Sequence, residues 1–384
     1  MSTAKARVIA YYLPQFHPIP ENDAVWGKGF TEWTNVAQAR PLFRGHYQPR
    51  IPADLGFYDL RLPEVREQQA AMAREAAIEG FAYWHYWFGN GKMLLQRPFE
   101  EVLASGKPDF PFCLAWANHD WTTGTWQNKG GNHIIAKQEY LGDEDYIAHF
   151  NYCLPAFRDE RYIRVDGKPL FAMYDPYNFP DVTRFIELWR ELAHQNGLGD
   201  MFFVGFCKPT STKRRRADGT VERVLPNLKS SADVYNRLLA LGFDALNPDG
   251  RPLAEMVYSG KYVRLVKATL QKYLPWFPPT RYDYAKVMPF YYAKEDSWET
   301  IFPSIMPQWD RSPRSGVTNG IYVNATPKHF EKHVAQALKL IENKTPEHRV
   351  LFLRSWNEWA EGNYVEPDLR YGHGFLDVLK KALL

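Results

Sequence analysis

Apolar residues in this chain gather in short runs separated by helix-patterned or loop-rich stretches. RVIAYYL (7–13), GFAYWHYWF (80–88), FPFCLAWAN (110–118), PLFAMYDP (169–176) and MFFVGF (201–206) read as five strands. GFDALNP (242–248), IFPSIMPQWD (301–310) and RVLFLRSWNEW (349–359) add three more. Near-continuous apolar runs of this length fit strands covered on both faces. Between them the apolar period changes to 3.6. It predicts an Ala-rich helix over 63–79, one over 181–196 with Asp181 as N-cap, the segment SADVYNRLLAL, a helix over 327–343, and the C-terminal GFLDVLKKALL.

Eight strands alternating with helices predict an α/β fold, a (β/α)8 TIM-type barrel with long loop insertions, occupying residues 1–384 as one domain. An open doubly wound sheet usually carries a glycine-rich phosphate loop after its first strand, whereas this first strand runs into YYLPQFHP. The insertion near 14–60 is rich in aromatics and predicts packed order. That near 207–232 is basic and polar, and reads as a solvated, mobile loop rather than an anion site.

Composition narrows the class. The chain has 47 basic and 44 acidic residues, a net charge of +3, so no global field points to nucleic acid. Aromatics reach 16%, with 13 Trp and 23 Tyr. Part of that excess belongs to the core, and the rest is available to stack on the apolar C–H faces of sugars. Cys113, Cys153 and Cys207 are widely spaced, which is neither a disulfide framework nor a zinc pattern. The apolar run before Pro14 is too short for a signal-peptide core, and no uninterrupted apolar run is long enough to span a membrane. The expectation is a cytoplasmic protein without a membrane span.

In such barrels the active site forms at the C-terminal ends of the strands. That rule collects Tyr11 and Tyr12 from the first strand, Trp84 and His85 from the second, and Trp116, Asn118 and His119 from the third. It adds Tyr174 and Asp175 from the fourth, Trp309 from the seventh, and Trp356, Asn357 and Tyr364 from the eighth. These are the candidate substrate-binding residues. Glu358 and Glu361, also on the eighth, are the candidate catalytic pair. Glycoside hydrolysis needs a proton donor for the leaving oxygen and a second carboxylate that answers the oxocarbenium charge. Aromatic surroundings hold one carboxyl protonated while its partner ionises. If the chain coils after Trp356, the two Cβ atoms lie about 5–6 Å apart; if the strand runs on, the acids face opposite sides. His85 is equally readable as a satisfied core histidine, NHDW (118–121) as a turn, and Glu32 with Trp33 as a lid or a packed loop. With no His-Glu-x-x-His or paired-Cys spacing, neither metal nor cofactor is expected.

Four segments carry a family resemblance: AYYLPQFHPIPENDAVWGKGFTEWTNV, PLFRGHYQPRIPADLGFYDL, FAYWHYWF and SWNEWAEGNYVEPD. They resemble the WbsX-type proteins of polysaccharide (O-antigen, lipopolysaccharide) biosynthesis, which carry a domain related to glycoside hydrolase family 99. The related hydrolases are endo-α-mannosidases on a (β/α)8 barrel, retaining and metal-independent. The resemblance implies that Glu358 acts as base on the sugar's 2-hydroxyl, giving a 1,2-anhydro intermediate, and that Glu361 acts as acid and then base. It also implies sugar contacts for Trp84 and His85. The hydrolases have Glu-Trp-His-Glu where this chain has Ala360 in place of the His. The implied partner is a polysaccharide or oligosaccharide.

Two other readings stay open. Nucleotide-sugar transfer calls for a diphosphate site, commonly Asp-x-Asp with a metal or a basic cradle; the basic run KRRR (213–216) lies in a polar loop. A glycan-binding barrel would bind sugar without turnover.

Overall fold

Eight parallel strands form the centre of the molecule: β1 (Arg7–Tyr12), β2 (Gly80–His85), β3 (Phe112–Trp116), β4 (Lys168–Met173), β5 (Phe202–Cys207), β6 (Ala245–Pro248), β7 (Ser304–Ile305) and β8 (Val350–Leu353). The computed structural model describes residues 4–123, 133–210, 212–215, 220–224, 227–274, 277–318 and 320–384. Hydrogen-bonded neighbours run β6-β5-β4-β3-β2-β1-β8-β7. A parallel bridge between Leu246 and Ile301 brings β6 back to the β7 segment. There Leu246 N donates to Thr300 O at 2.9 Å and Phe302 N to Leu246 O at 2.8 Å. The ring is thus a nearly closed (β/α)8 barrel with helices between its strands, as the eight apolar runs predict.

Alternation along each strand sends side chains either into the barrel or toward the helices. On β1, Tyr11 points inward, stacking on Trp84 at 4.7 Å and on Phe352 at 5.1 Å. Tyr12 points outward and donates to Gln69 on the helix Pro63–Glu75. A polar layer crosses the interior: Tyr11 OH donates to Asn247, whose amide donates to Ser304. The outer helices present apolar stripes to the strands. Val182–Gln195 buries Val182, Phe185, Ile186, Trp189 and Ala193, the 3.6-residue period read from sequence. Asp181 stands at its N-cap position, but its carboxylate accepts from Tyr146 OH instead of from the helix.

Most strands are shorter than their apolar runs, and two fall far short. β7 covers only Ser304–Ile305 of the expected 301–310, and β8 stops at Leu353 instead of Trp359. Beyond Leu353 the backbone bonds within its own loop and to β1: Ser355 N to Asn363 O, Trp356 N to Tyr11 O, and Val365 N to Trp356 O. The first insertion is packed. Its helices Pro20–Trp26 and Glu32–Gln38 sit at the barrel mouth, with Trp33 wedged against Phe16, Tyr58 and Trp359. In the second, expected as a loop, Thr212–Arg215 and Val221–Val224 pair as an antiparallel hairpin. Residues 211, 216–219 and 225–226 of that insertion, Arg216 of the basic run among them, lie outside the described residues. Among the described residues no helix is long and apolar enough to cross a membrane.

Candidate active site

A cavity of about 290 Å³ opens at the C-terminal ends of the strands. Of the predicted residues, Tyr11, Trp84, His119, Tyr174, Trp309, Glu358 and Glu361 line it. The others lie outside it, for physical reasons that differ. Tyr12, His85 and Trp116 occupy the outward register: His85 Nε2 meets His149 Nε2 at 2.8 Å, and Trp116 Nε1 donates to Trp87 O. Asn118 and Asp175 clamp two loops reciprocally, Asn118 Nδ2 donating to Asp175 O and Asp175 N to Asn118 Oδ1. Asn357 does the same with both backbone groups of Leu13. Trp356 is fully buried against Phe81, and Tyr364 stacks on Trp359 while its hydroxyl donates to Asp368.

The loop after β8 coils. Trp359–Glu361 forms one 3-10 turn, and Ser355 Oγ accepts from Glu358 N just ahead of it. This coil brings Glu358 and Glu361 onto one guanidinium. Arg314 Nη2 donates to Glu358 Oε2 at 2.9 Å, and its Nη1 donates to Glu361 Oε1 at 2.6 Å. A third carboxylate joins: Glu32 of the first insertion accepts from Arg314 Nη2 at 2.7 Å and from Ala360 N at 3.3 Å. Glu32 is fully buried beneath the pair, at the start of the packed helix Glu32–Gln38, as in the packed alternative to a lid. Arg314 itself rides on the short helix Ser312–Ser315, whose first backbone N–H donates to Asp310. Asp310 is fixed in turn by His46 and Gln48 from the insertion.

Charge divides the two glutamates. Burial pushes the Glu358 carboxyl up to about 7, with Glu361 and Glu32 adding repulsion that the shared Arg314 does not cancel. Glu361 is equally buried, but Arg314, Arg311, Arg251 and Arg354 outweigh the burial and hold it far down, ionised. Arg311 Nε stands 3.3 Å from Glu361 Oε1. Of the two, Glu358 is the carboxyl that holds a proton more readily.

Sequence reasoning missed the four arginines that line the cavity, Arg251, Arg311, Arg314 and Arg354. One signal was available for Arg354. Phe352 faces inward, so the period of two carries Arg354 into the barrel as well. Arg251 and Arg354 share one buried counterion, Asp249, at 2.7 and 3.2 Å.

Among the described residues, His85, His149 and Cys153 are the group that brings three possible metal ligands together. They lie in the core behind β2, outside the cavity. The two imidazole nitrogens are 2.8 Å apart, a hydrogen-bond distance, whereas two ligands on one tetrahedral zinc stand roughly 3.3 Å apart. Burial also lowers both imidazole pKa values and raises that of the thiol. The chain holds one Asp-x-Asp triplet, Asp143–Glu144–Asp145. Asp143 pairs with Arg184 on the surface and Asp145 accepts from Asn90 N, and neither lines the cavity.

Glutamates and aromatic rings thus meet at the C-terminal mouth of a nearly closed (β/α)8 barrel. The family model "Glycosyltransferase WbsX" matches residues 8–379, and the chain belongs to that family. It is 36% identical over 387 residues to an "Uncharacterized protein WxcX" from Xanthomonas campestris pv. campestris, and 36% over 390 to that of a second strain. Each alignment covers 99% of this chain and 50% of the relative, so the chain spans about half the length of the curated relatives it matches. Among solved structures, a "Glycoside hydrolase-like protein" superposes with TM-score 0.58 at 14% identity, covering 98% of this chain and 94% of that one. The GH99 endo-alpha-mannosidase from Bacteroides thetaiotaomicron in complex with bis-tris-propane does so with TM-score 0.54 at 15% identity, covering 98% of both chains. At such identities the likeness establishes the fold.

Proposed function

We propose that this barrel is a retaining glycoside hydrolase acting on α-mannoside-like linkages of a bacterial polysaccharide, with Glu358 and Glu361 as its catalytic pair. The observation that carries the reading is the meeting of both glutamates on Arg314 in a cavity walled by Tyr11, Trp84, Tyr174 and Trp309. Opposite proton affinities on neighbouring carboxyls are what a donor and a base require.

In the proposed reaction one carboxylate takes the proton of the sugar's 2-hydroxyl as O2 bonds to C1. The bond from C1 to the leaving oxygen breaks, and the second carboxyl protonates that oxygen. Water then opens the 1,2-anhydro ring at C1, giving its proton to the second carboxylate while the first returns its own to O2. By family resemblance Glu358 is the first group and Glu361 the second. The proton affinities run the other way, so bound substrate must shift the proton from Glu358 to Glu361 before the leaving group departs. Reducing-end release from α-mannans and bacterial O-polysaccharides tests the reading, with Glu361→Gln expected to lose about 10²–10⁴-fold in rate.

The family description favours a second reading, sugar transfer. It predicts saturable binding of a nucleotide sugar in calorimetry, which the hydrolase reading does not.

A further inference from the structure

Arg354 is the least expected residue of the cavity. It is 9% exposed and faces the cavity. Its one charged partner is Asp249, 3.2 Å from Nη1, and its guanidinium carbon lies 4.7 Å from the Phe206 ring centre. Among the described residues its five N–H donors enter no hydrogen bond. A buried donor fork of this kind ordinarily finds partners, because leaving it unpaired is costly. Asp249 engages it only at Nη1, since that carboxylate is turned to Arg251, from which it accepts three hydrogen bonds. Two guanidinium groups therefore share one carboxylate. Counting Glu32 and Asp249 behind the wall, the cavity sets four cations, Arg251, Arg311, Arg314 and Arg354, against three anions once Glu358 holds its proton. The excess lies on the Arg354 side, because Arg314 is consumed by its three glutamates. A second cavity of about 270 Å³ shares Arg251 and Trp309 with the first; there Arg264 is paired with Glu255 at 3.0 Å and Asp249 lies beside Arg251, which leaves Lys208 as its further cation.

We infer that the saccharide taken by this cavity is acidic, bearing a carboxylate or phosphate whose oxygens pair with Arg354 and, beside it, Arg251. Planar guanidinium forks match such oxygens, and in a buried site the pairing is charge-assisted. This inference rests on the sugar-binding reading of the cavity and names its substrate class. It also supplies the missing proton shift: an anion beside Arg354 and Arg251 offsets part of the positive charge that keeps Glu361 ionised.

The test is a binding comparison on the intact chain by calorimetry, using methyl α-mannoside, methyl α-mannuronate and mannose 6-phosphate as probes. At least one anionic probe is expected to bind about tenfold or more tighter than the neutral one. The preferred anion identifies carboxylate or phosphate as its source. In Arg354→Gln the preference is expected to fall below about threefold while neutral binding persists; Arg354→Lys should keep part of it. Equal or undetected binding of all three probes by the wild type overturns the inference without recourse to any variant. A well-folded Arg354→Gln that keeps the full preference overturns it too. Anion-selective binding without turnover would sink the hydrolase reading and leave this one standing, and turnover of neutral glycan without anion preference would do the reverse.

Discussion

Arg314 is the residue on which the site turns. Its guanidinium is buried, and three buried carboxylates converge on it. Removing it leaves Glu32 and Glu358 without an ion-pair partner, so Arg314→Met is expected to destabilise the fold by about 3–5 kcal/mol in urea denaturation. Adding Glu32→Met should restore part of that loss, because one orphaned charge disappears. Glu358 makes a pH prediction. Its folded pKa, about 7, lies above its ordinary value of 4.5, so the native state binds the extra proton between those limits. Stability therefore falls as pH rises from about 4.5 to 7. Glu366 and Asp296, also pushed up to about 7 by burial, add to the same trend. The Glu358 share is isolated by difference: Glu358→Gln should lose less stability than wild type between pH 5 and 7.5 in parallel thermal melts. At this scale the sequence disclosed the glutamates and the inward aromatics Tyr11, Trp84, Tyr174 and Trp309, since apolar rings at strand ends leave a trace. Of the arginines only Arg354 left one, through the period of two; the others read as solvated surface charges until a fold closes around them.

Elements set where those residues stand. The strand periods were legible, but which parity faced the barrel was not. Tyr11 and Tyr12 are both aromatic, and only pairing with the neighbouring strands assigns one inward. The apolar run ending in β8 also continued past its hydrogen bonds: Trp356 and Trp359 are core residues of a loop that bonds to itself. Gly250 is the tightest joint among the elements. It precedes the helix Arg251–Ser259, and a Cβ placed there would lie 2.0 Å from Tyr291 O. That close approach fixes the start of the helix and hence Arg251 over Trp309. Gly250→Ala is expected to cost about 1–3 kcal/mol by overpacking and to weaken anionic ligands more than neutral ones, read by melting and calorimetry.

The whole molecule was the most legible level. Eight apolar runs with helices between them specify a barrel, because parallel strands buried on both faces have few other ways to close. What no single run revealed is that the first insertion reaches across the mouth to supply Glu32, with His46 and Gln48 holding Asp310 beneath Arg314. Those contacts join residues more than 250 positions apart, and only the folded chain brings them together. The central claim is turnover by the paired glutamates, and one measurement reaches it most directly. Reducing-end release is followed on a panel of neutral and acidic α-linked mannans and bacterial O-polysaccharides, wild type beside Glu361→Gln. The account predicts release by the wild type that falls at least about 10²-fold in the variant at unchanged melting temperature. Undiminished release by Glu361→Gln, or a wild type that only transfers sugar from a nucleotide donor, would contradict it.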